Sequence, residues 1–134
     1  MIILLVEDSL GDVRLVREAL SVFDSIELSV AHDGVEALRV LEQSKSRLDL
    51  ILLDLNLPRM DGRTLLSLIK SDPELRGIPL VVLTSSSAPQ DVQQAYAMHA
   101  NCYVIKPREL DEFEHRLQRV IEFWTEQAYL PSRH

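Results

Sequence analysis

The sequence predicts an α/β domain: five strands in one parallel sheet, joined by helices that cover both of its faces. Three observations predict it. Short apolar runs alternate with amphipathic stretches along the whole of the 134 residues. The run Leu50-Ile51-Leu52-Leu53 has no polar alternation, as expected of a strand buried on both faces in a parallel sheet. Nearly every such run then stops abruptly at a polar residue, and open α/β sheets keep their chemistry at the carboxyl ends of their strands.

The elements follow in order. Ile2 to Val6 is an apolar run, hence a buried strand. Ser9 can cap the next helix, with Asp12 in the capping-box position, and Val13, Val16, Leu20 and Phe23 recur at helical spacing. Ile26 to Val30 alternates apolar and polar, so it reads as a strand near a sheet edge. Asp33-Gly34 is a turn, and Val35, Leu38 and Leu41 stripe a second helix. Leu50 to Leu53 is the third strand, and Leu65, Leu68 and Ile69 stripe a third helix that Asp72-Pro73 ends. Pro79 opens the fourth strand, Leu80 to Leu83, where a first-position proline is tolerated. A weaker helix spans Ala88 to Met98, and Cys102 to Ile105 is the fifth strand. The last helix, about Glu109 to Ala128, carries Leu110, Phe113, Leu117, Val120, Ile121 and Trp124. Five βα units with right-handed crossovers make a flavodoxin-like, doubly wound sheet with expected order 2-1-3-4-5. With no linker or repeat, the whole of 1–134 reads as a single domain with an extended C-terminal helix.

Composition removes several classes of function. A formal net charge of −7 disfavours nucleic acid, whose phosphates need a basic face. No apolar stretch is long enough for a membrane span, and Met1 to Val6 meets Glu7-Asp8 without a positive leader. The single cysteine, Cys102, has no internal disulfide partner. A cytoplasmic protein is expected.

The polar residues that follow the strands are Glu7-Asp8, Asp54, Thr84 and Lys106. Three carboxylates at one edge repel one another. A hard divalent cation resolves this, and an oxygen-only site with few protein ligands suits Mg²⁺. Carboxylate, cation, lysine and hydroxyl together suit a phosphoryl group, with Asp54 as the nucleophile. Mg²⁺ and Lys106 would offset charge on the transferring oxygens, and Thr84 would hydrogen-bond the group once it arrives. Taken alone, Asp54 reads as well as a strand-ending Asp before the turn at Leu57-Pro58 and Asp61-Gly62.

Over its whole length the chain resembles a two-component response-regulator receiver domain. The matching elements are Val6-Glu7-Asp8, Asp33-Gly34, Asp54 with Leu57 to Gly62, Leu83-Thr84 and Tyr103 to Pro107. The resemblance implies that Asp54 accepts phosphate from a sensor histidine kinase. It also implies that Asp8, Asp54 and the main-chain carbonyl of Asn56 hold Mg²⁺, with Glu7 acting through water. It gives Thr84, Lys106 and Tyr103 phosphate-binding and switching roles, gives Asn56 and Ser86 a modulating role, and implies a cis Lys106–Pro107 bond. Asp91 to Asn101, Asn101 to Tyr103, Phe123-Trp124 and Leu130-Pro131 resemble the single-domain regulators that partner bacterial and cyanobacterial phytochromes. That narrower resemblance implies a light-sensing kinase as partner and a homodimer built on the fourth helix, fifth strand and fifth helix. Phe123, Tyr129 and Leu130 are the dimer candidates, set off the buried stripe near the end of the last helix.

The plainer readings are that Tyr103 fills core, Cys102 is a small buried hydrophobe, Trp124 is core, and His32 and His99 lie on the surface. A phosphatase with an aspartyl-phosphate intermediate would want an acid where Asn56 stands, and an FMN binder would not place Glu7-Asp8 beside a phosphate. The expected protein is a stand-alone regulator, not a turnover enzyme, whose output is a changed surface or transfer to a downstream relay protein. Lys106→Ala is expected to cost phosphorylation and leave stability little changed.

Overall fold

The computed structural model describes residues 1–44 and 47–131. The expected domain limits of 1–134 take in positions 45, 46 and 132–134, which lie outside the described residues. The strands are β1 (Ile2–Val6), β2 (Glu27–Ala31), β3 (Leu50–Leu53), β4 (Leu80–Thr84) and β5 (Cys102–Ile105). They form one sheet in the order β2-β1-β3-β4-β5, every pairing parallel, as the sequence predicts.

The unbroken apolar runs are explained by the pleat. Successive side chains point to opposite faces of a strand, and here both faces are covered. Leu4, Val6, Ile51, Leu53, Leu80 and Val82 enter one core with Ala37, Leu41, Leu65, Leu66 and Ile69. Ile3, Leu5, Leu50, Leu52, Val81 and Leu83 enter the other with Val13, Val16, Phe113, Leu117 and Ile121. Each such Leu, Ile or Val contributes about 1.5–3 kcal/mol by its burial. β2 lies at the edge and is only partly buried.

The helices are α1 (Leu10–Leu20), α2 (Gly34–Ser44), α3 (Gly62–Ser71), α4 (Pro89–Ala97) and α5 (Leu110–Glu122). α2, α3 and α4 lie on the first core, α1 and α5 on the second. Three residues expected on buried stripes are exposed instead: Val35, Leu68 and Leu110, the last 61% accessible. In α3 the buried arc is Leu65, Leu66 and Ile69, and at 3.6 residues per turn Leu68 points about 110° from its centre. Leu110 is the first residue of α5, so it precedes the turns that lie on the sheet.

α5 does not run on as an α-helix to Ala128. Phe123–Gln127 is a π-helical turn. Its cause is local: the Thr125 hydroxyl donates to the carbonyls of Ile121 and Glu122, and the Ala128 N–H reaches back to Phe123 O. A side chain that takes a helix carbonyl competes with the regular ladder. Trp124 is half-buried, not fully core. Among the described residues no peptide bond is cis, so Lys106–Pro107 is trans, against expectation; trans is the favoured isomer of an X–Pro bond by a small margin. Among the described residues no helix is long and apolar enough to cross a membrane.

Candidate functional site

The sheet ladder continues one residue past β1, β3 and β5, and so fixes the residues that follow them. The Glu7 N–H donates to Ala31 O at 2.9 Å, Asp54 N–H to Val6 O at 3.0 Å, and Lys106 N–H to Thr84 O at 2.7 Å. Glu7, Asp54 and Lys106 are therefore held by main-chain bonds before their side chains make any contact.

Their side chains converge. Lys106 Nζ donates to Glu7 Oε1 at 2.5 Å, to Asp12 Oδ2 at 2.8 Å and to Asp54 Oδ2 at 3.2 Å. The other oxygen of Asp54 accepts the Asn56 N–H at 3.0 Å. Asp54 is buried and Glu7 is 1% accessible, whereas Asp8 is exposed at the rim. Thr84 is fully buried, and its hydroxyl has no hydrogen-bond partner among the described residues. A buried hydroxyl without a partner is costly and rare.

The charges do not balance. Burial raises the Glu7 carboxyl from 4.5 to about 7, while Lys106 pulls it down and Asp54 adds to the rise. Burial alone would lower the Lys106 ammonium, but hydrogen bonds to Asp12 and Glu7, with the charges of Glu7 and Asp54, raise it overall. Lys106 thus stays charged, and Glu7, Asp8, Asp12 and Asp54 exceed what one ammonium offsets. Glu7, Asp8 and Asp54 each offer a carboxylate oxygen within 4.8 Å of the others. Hard oxygen donors with surplus negative charge fit a divalent cation of the Mg²⁺, Mn²⁺ or Ca²⁺ kind.

The loops around this centre are tied down. Asp33 caps α2 through Glu36 N–H and pairs with Arg59 at 3.1 Å, in the loop that follows Asp54. Arg59 itself has φ 65°. Asp61 caps α3, and the Gly62 N–H donates to Leu55 O. On the other side, the Tyr103 hydroxyl donates to Ser86 O at 2.9 Å and the Ser86 hydroxyl to Asp91 Oδ2 at 2.6 Å. Arg63 pairs with the other Asp91 oxygen at 3.1 Å. Tyr103 and Ser86 thus connect the segment after Thr84 to α3 and α4.

The residues expected from the sequence, Glu7, Asp8, Asp54, Thr84 and Lys106, lie at one edge, with Asn56 beside Asp54. Phe123, Tyr129 and Leu130 lie away from it. Phe123 is 50% accessible and packs edge-on to Trp124 at 5.2 Å; Tyr129 is fully exposed and Leu130 half-buried. A cleft of about 520 Å³ opens beside Phe123, lined by Asn101, Cys102, Arg119, Val120, Phe123 and Trp124.

One member of the site, Asp12, was not legible as such. In the sequence it reads as the far half of a capping box. The structure keeps the first half, with Asp12 N–H donating to Ser9 Oγ, but Glu7 Oε2 takes the Ser9 N–H and the Asp12 carboxylate turns to Lys106. The available signal was position: the first turn of a helix that starts at the carboxyl edge of a sheet overhangs that edge.

Residues 3–118 match the family model described as "Response regulator receiver domain". The chain is 46% identical over 138 aligned positions to "Response regulator Rcp1" of Synechocystis sp. (strain ATCC 27184 / PCC 6803 / Kazusa), covering 98% of this chain and 93% of that protein. Two solved structures are similar in fold and sequence. One is the Mn²⁺-bound form of response regulator Rcp1, with TM-score 0.91, 44% identity, and 98% of this chain and 99% of that chain covered. The other is the phosphorylated cyanobacterial phytochrome response regulator RcpA, with TM-score 0.92, 45% identity and 98% of each chain covered.

Proposed function

The chain belongs to the response-regulator receiver family, and from that premise we propose that it is a phosphoryl switch whose acceptor is Asp54. The observation that carries this is the pairing of Asp54 Oδ2 with Lys106 Nζ at 3.2 Å, beside a buried Thr84 hydroxyl that has no partner among the described residues. A carboxylate nucleophile attacks the phosphorus of a kinase phosphohistidine; the P–N bond breaks and an aspartyl O–P bond forms. Lys106 supplies positive charge to the transferring oxygens, and Thr84 donates its free hydroxyl to one of them. Asp8, Asp54 and the Asn56 main-chain carbonyl would hold Mg²⁺, with Glu7 acting through water, and the cation would offset charge on the phosphoryl oxygens.

Tyr103 reports the change. Its hydroxyl already holds Ser86 O, two residues past Thr84, so movement of Thr84 toward a phosphoryl group is felt at Tyr103 and at α4. Ser86 and Asn56 tune the lifetime of the adduct. Asn56 cannot serve as an acid or base, which supports a switch over a turnover enzyme acting on a separate substrate.

The phosphoryl donor is a sensor histidine kinase, of the phytochrome class by likeness to the phytochrome regulator RcpA and to the bacteriophytochrome response regulator RtBRR. The whole of 1–134 acts as one domain, working in the cytoplasm. Its output is a homodimer through the face that carries Phe123, Tyr129 and Leu130, or transfer to a relay protein. The deciding experiment is incubation with acetyl phosphate and Mg²⁺, followed by intact mass. Wild type gains one phosphoryl group, and Asp54→Asn or excess EDTA prevents it. An adduct that persists in Asp54→Asn overturns the assignment.

A further inference from the structure

Lys106 has three N–H donors, and each is directed at a different carboxylate: Glu7, Asp12 and Asp54. A phosphoryl group on Asp54 therefore finds no free donor on this ammonium until one carboxylate lets go. We propose that Asp12 is that carboxylate: a positioning residue that holds Lys106 in the resting protein and yields it to the phosphoryl group. The inference rests on the phosphoryl-acceptor reading above and deepens it.

The three partners are not equivalent. Glu7 is 2% accessible in its side chain, so a released Glu7 Oε1 would be left buried, with only the Ser9 N–H on the other oxygen of that carboxylate. Asp54 is the acceptor itself. Asp12 has a side chain 31% accessible and sits in the first turn of α1, so water can take the lone pairs it frees. Asp12 also lies outside the group of oxygens that gather for a cation, which is Glu7, Asp8 and Asp54. Its role is thus played through Lys106 and not through the metal.

The direction of the effect follows. Asp12 and the phosphoryl group are anions competing for one ammonium. Without the Asp12 carboxylate, Lys106 is still held by Glu7 at 2.5 Å, so it stays in place while one donor is free. Loss of the competitor then outweighs loss of the tether, and the phosphoryl group is bound more tightly. The arrangement also couples α1 to the site, since accepting phosphate releases its first turn from Lys106.

The test compares wild type, Asp12→Asn and Asp12→Glu in full-length protein with Mg²⁺ and beryllofluoride, a mimic of the aspartyl phosphoryl group. Bound beryllofluoride is counted by fluorine NMR, and the Lys106 ammonium is followed by nitrogen NMR. Asp12→Asn is expected to half-saturate at about fivefold lower beryllofluoride, the scale of one partly exposed ion pair. Its resting Lys106 signal is already displaced toward the bound position. Asp12→Glu returns a carboxylate to Lys106 and restores the wild-type values, and the Lys106 signal is the readout that a role in capping alone would not move. Equal or weaker binding by Asp12→Asn, or Asp12→Glu behaving like Asp12→Asn, overturns the inference. Wild type that labels at Asp54 while Asp12→Asn is unchanged sinks this inference alone. Wild type that neither labels nor binds sinks the phosphoryl reading and this one with it.

Discussion

Gly62 is pressed against the main chain of Asp54: a Cβ at Gly62 would stand 2.5 Å from the carbonyl oxygen of Asp54. It would also stand 2.5 Å from the Cα of Leu55. Neither atom belongs to a flexible side chain, so neither can give way. Gly62→Ala should push the start of α3 off the strand that ends at the proposed acceptor. The expected loss is about 1–3 kcal/mol of stability, as for other overpacked sites, with slower labelling of Asp54 by acetyl phosphate. Urea unfolding measures the first and intact mass the second; a variant with wild-type values in both removes Gly62 from the support of the site.

The sequence suggests that Lys106→Ala leaves stability little changed, and the geometry revises this. The ammonium serves three carboxylates, two of them buried. Removing it leaves uncompensated buried charge, which costs about 3 kcal/mol where no proton or cation takes its place. The variant is expected to unfold at lower urea than wild type at pH 8 without metal, and to recover part of the difference when Mg²⁺ is added. Equal midpoints for the two proteins without metal would show that the cluster relaxes into solvent instead.

Asp91 offers a pH test away from the proposed metal ligands. The Ser86 hydroxyl and then Arg63 hold its carboxyl below 3.8. A folded value below the unfolded one contributes stability above the unfolded pKa, and that stability is lost as pH falls through the folded value. Wild type should therefore be more stable than Asp91→Asn at pH 7, with the gap closing below pH 3.8. Urea midpoints at both ends of the range decide it, and a gap that stays constant down to pH 3 assigns Asp91 no electrostatic part.

Phe123 tests self-association. It is half exposed beside an apolar cleft of about 520 Å³, and a two-fold interface would set such a patch against its own copy. Sedimentation across a concentration series, with and without beryllofluoride and Mg²⁺, should show a dimer in wild type and a weaker one in Phe123→Ala. Dimers of equal strength would place the interface elsewhere.

What the sequence made legible was the part governed by period and position. Burial on both faces leaves Leu50 to Leu53 without polar alternation, so strand β3 and its end at Asp54 could be read directly. The convergence of Glu7, Asp54, Thr84 and Lys106 followed from strand order alone. Side-chain direction was less accessible. Leu68 shares a spacing with buried Leu65 but points off the packed arc, and Leu110 lies on the right stripe before the helix reaches the sheet. Asp12 was hidden because its backbone does cap α1 as expected while its carboxylate goes elsewhere. The π-helical turn at Phe123–Gln127 depends on one hydroxyl choosing two carbonyls, which no periodicity reports.

The orphan hydroxyl of Thr84 has an evolutionary consequence. Thr84→Val keeps the shape and removes a buried oxygen that no described residue satisfies, so it should raise stability by about 1 kcal/mol while impairing the response to phosphoryl transfer, both readable by melting and by beryllofluoride binding. A screen that rewards heat tolerance alone would therefore enrich this replacement and return proteins that fold better and signal less. Persistence of threonine at such a position in a lineage is a record of selection on signalling, legible without any assay of it.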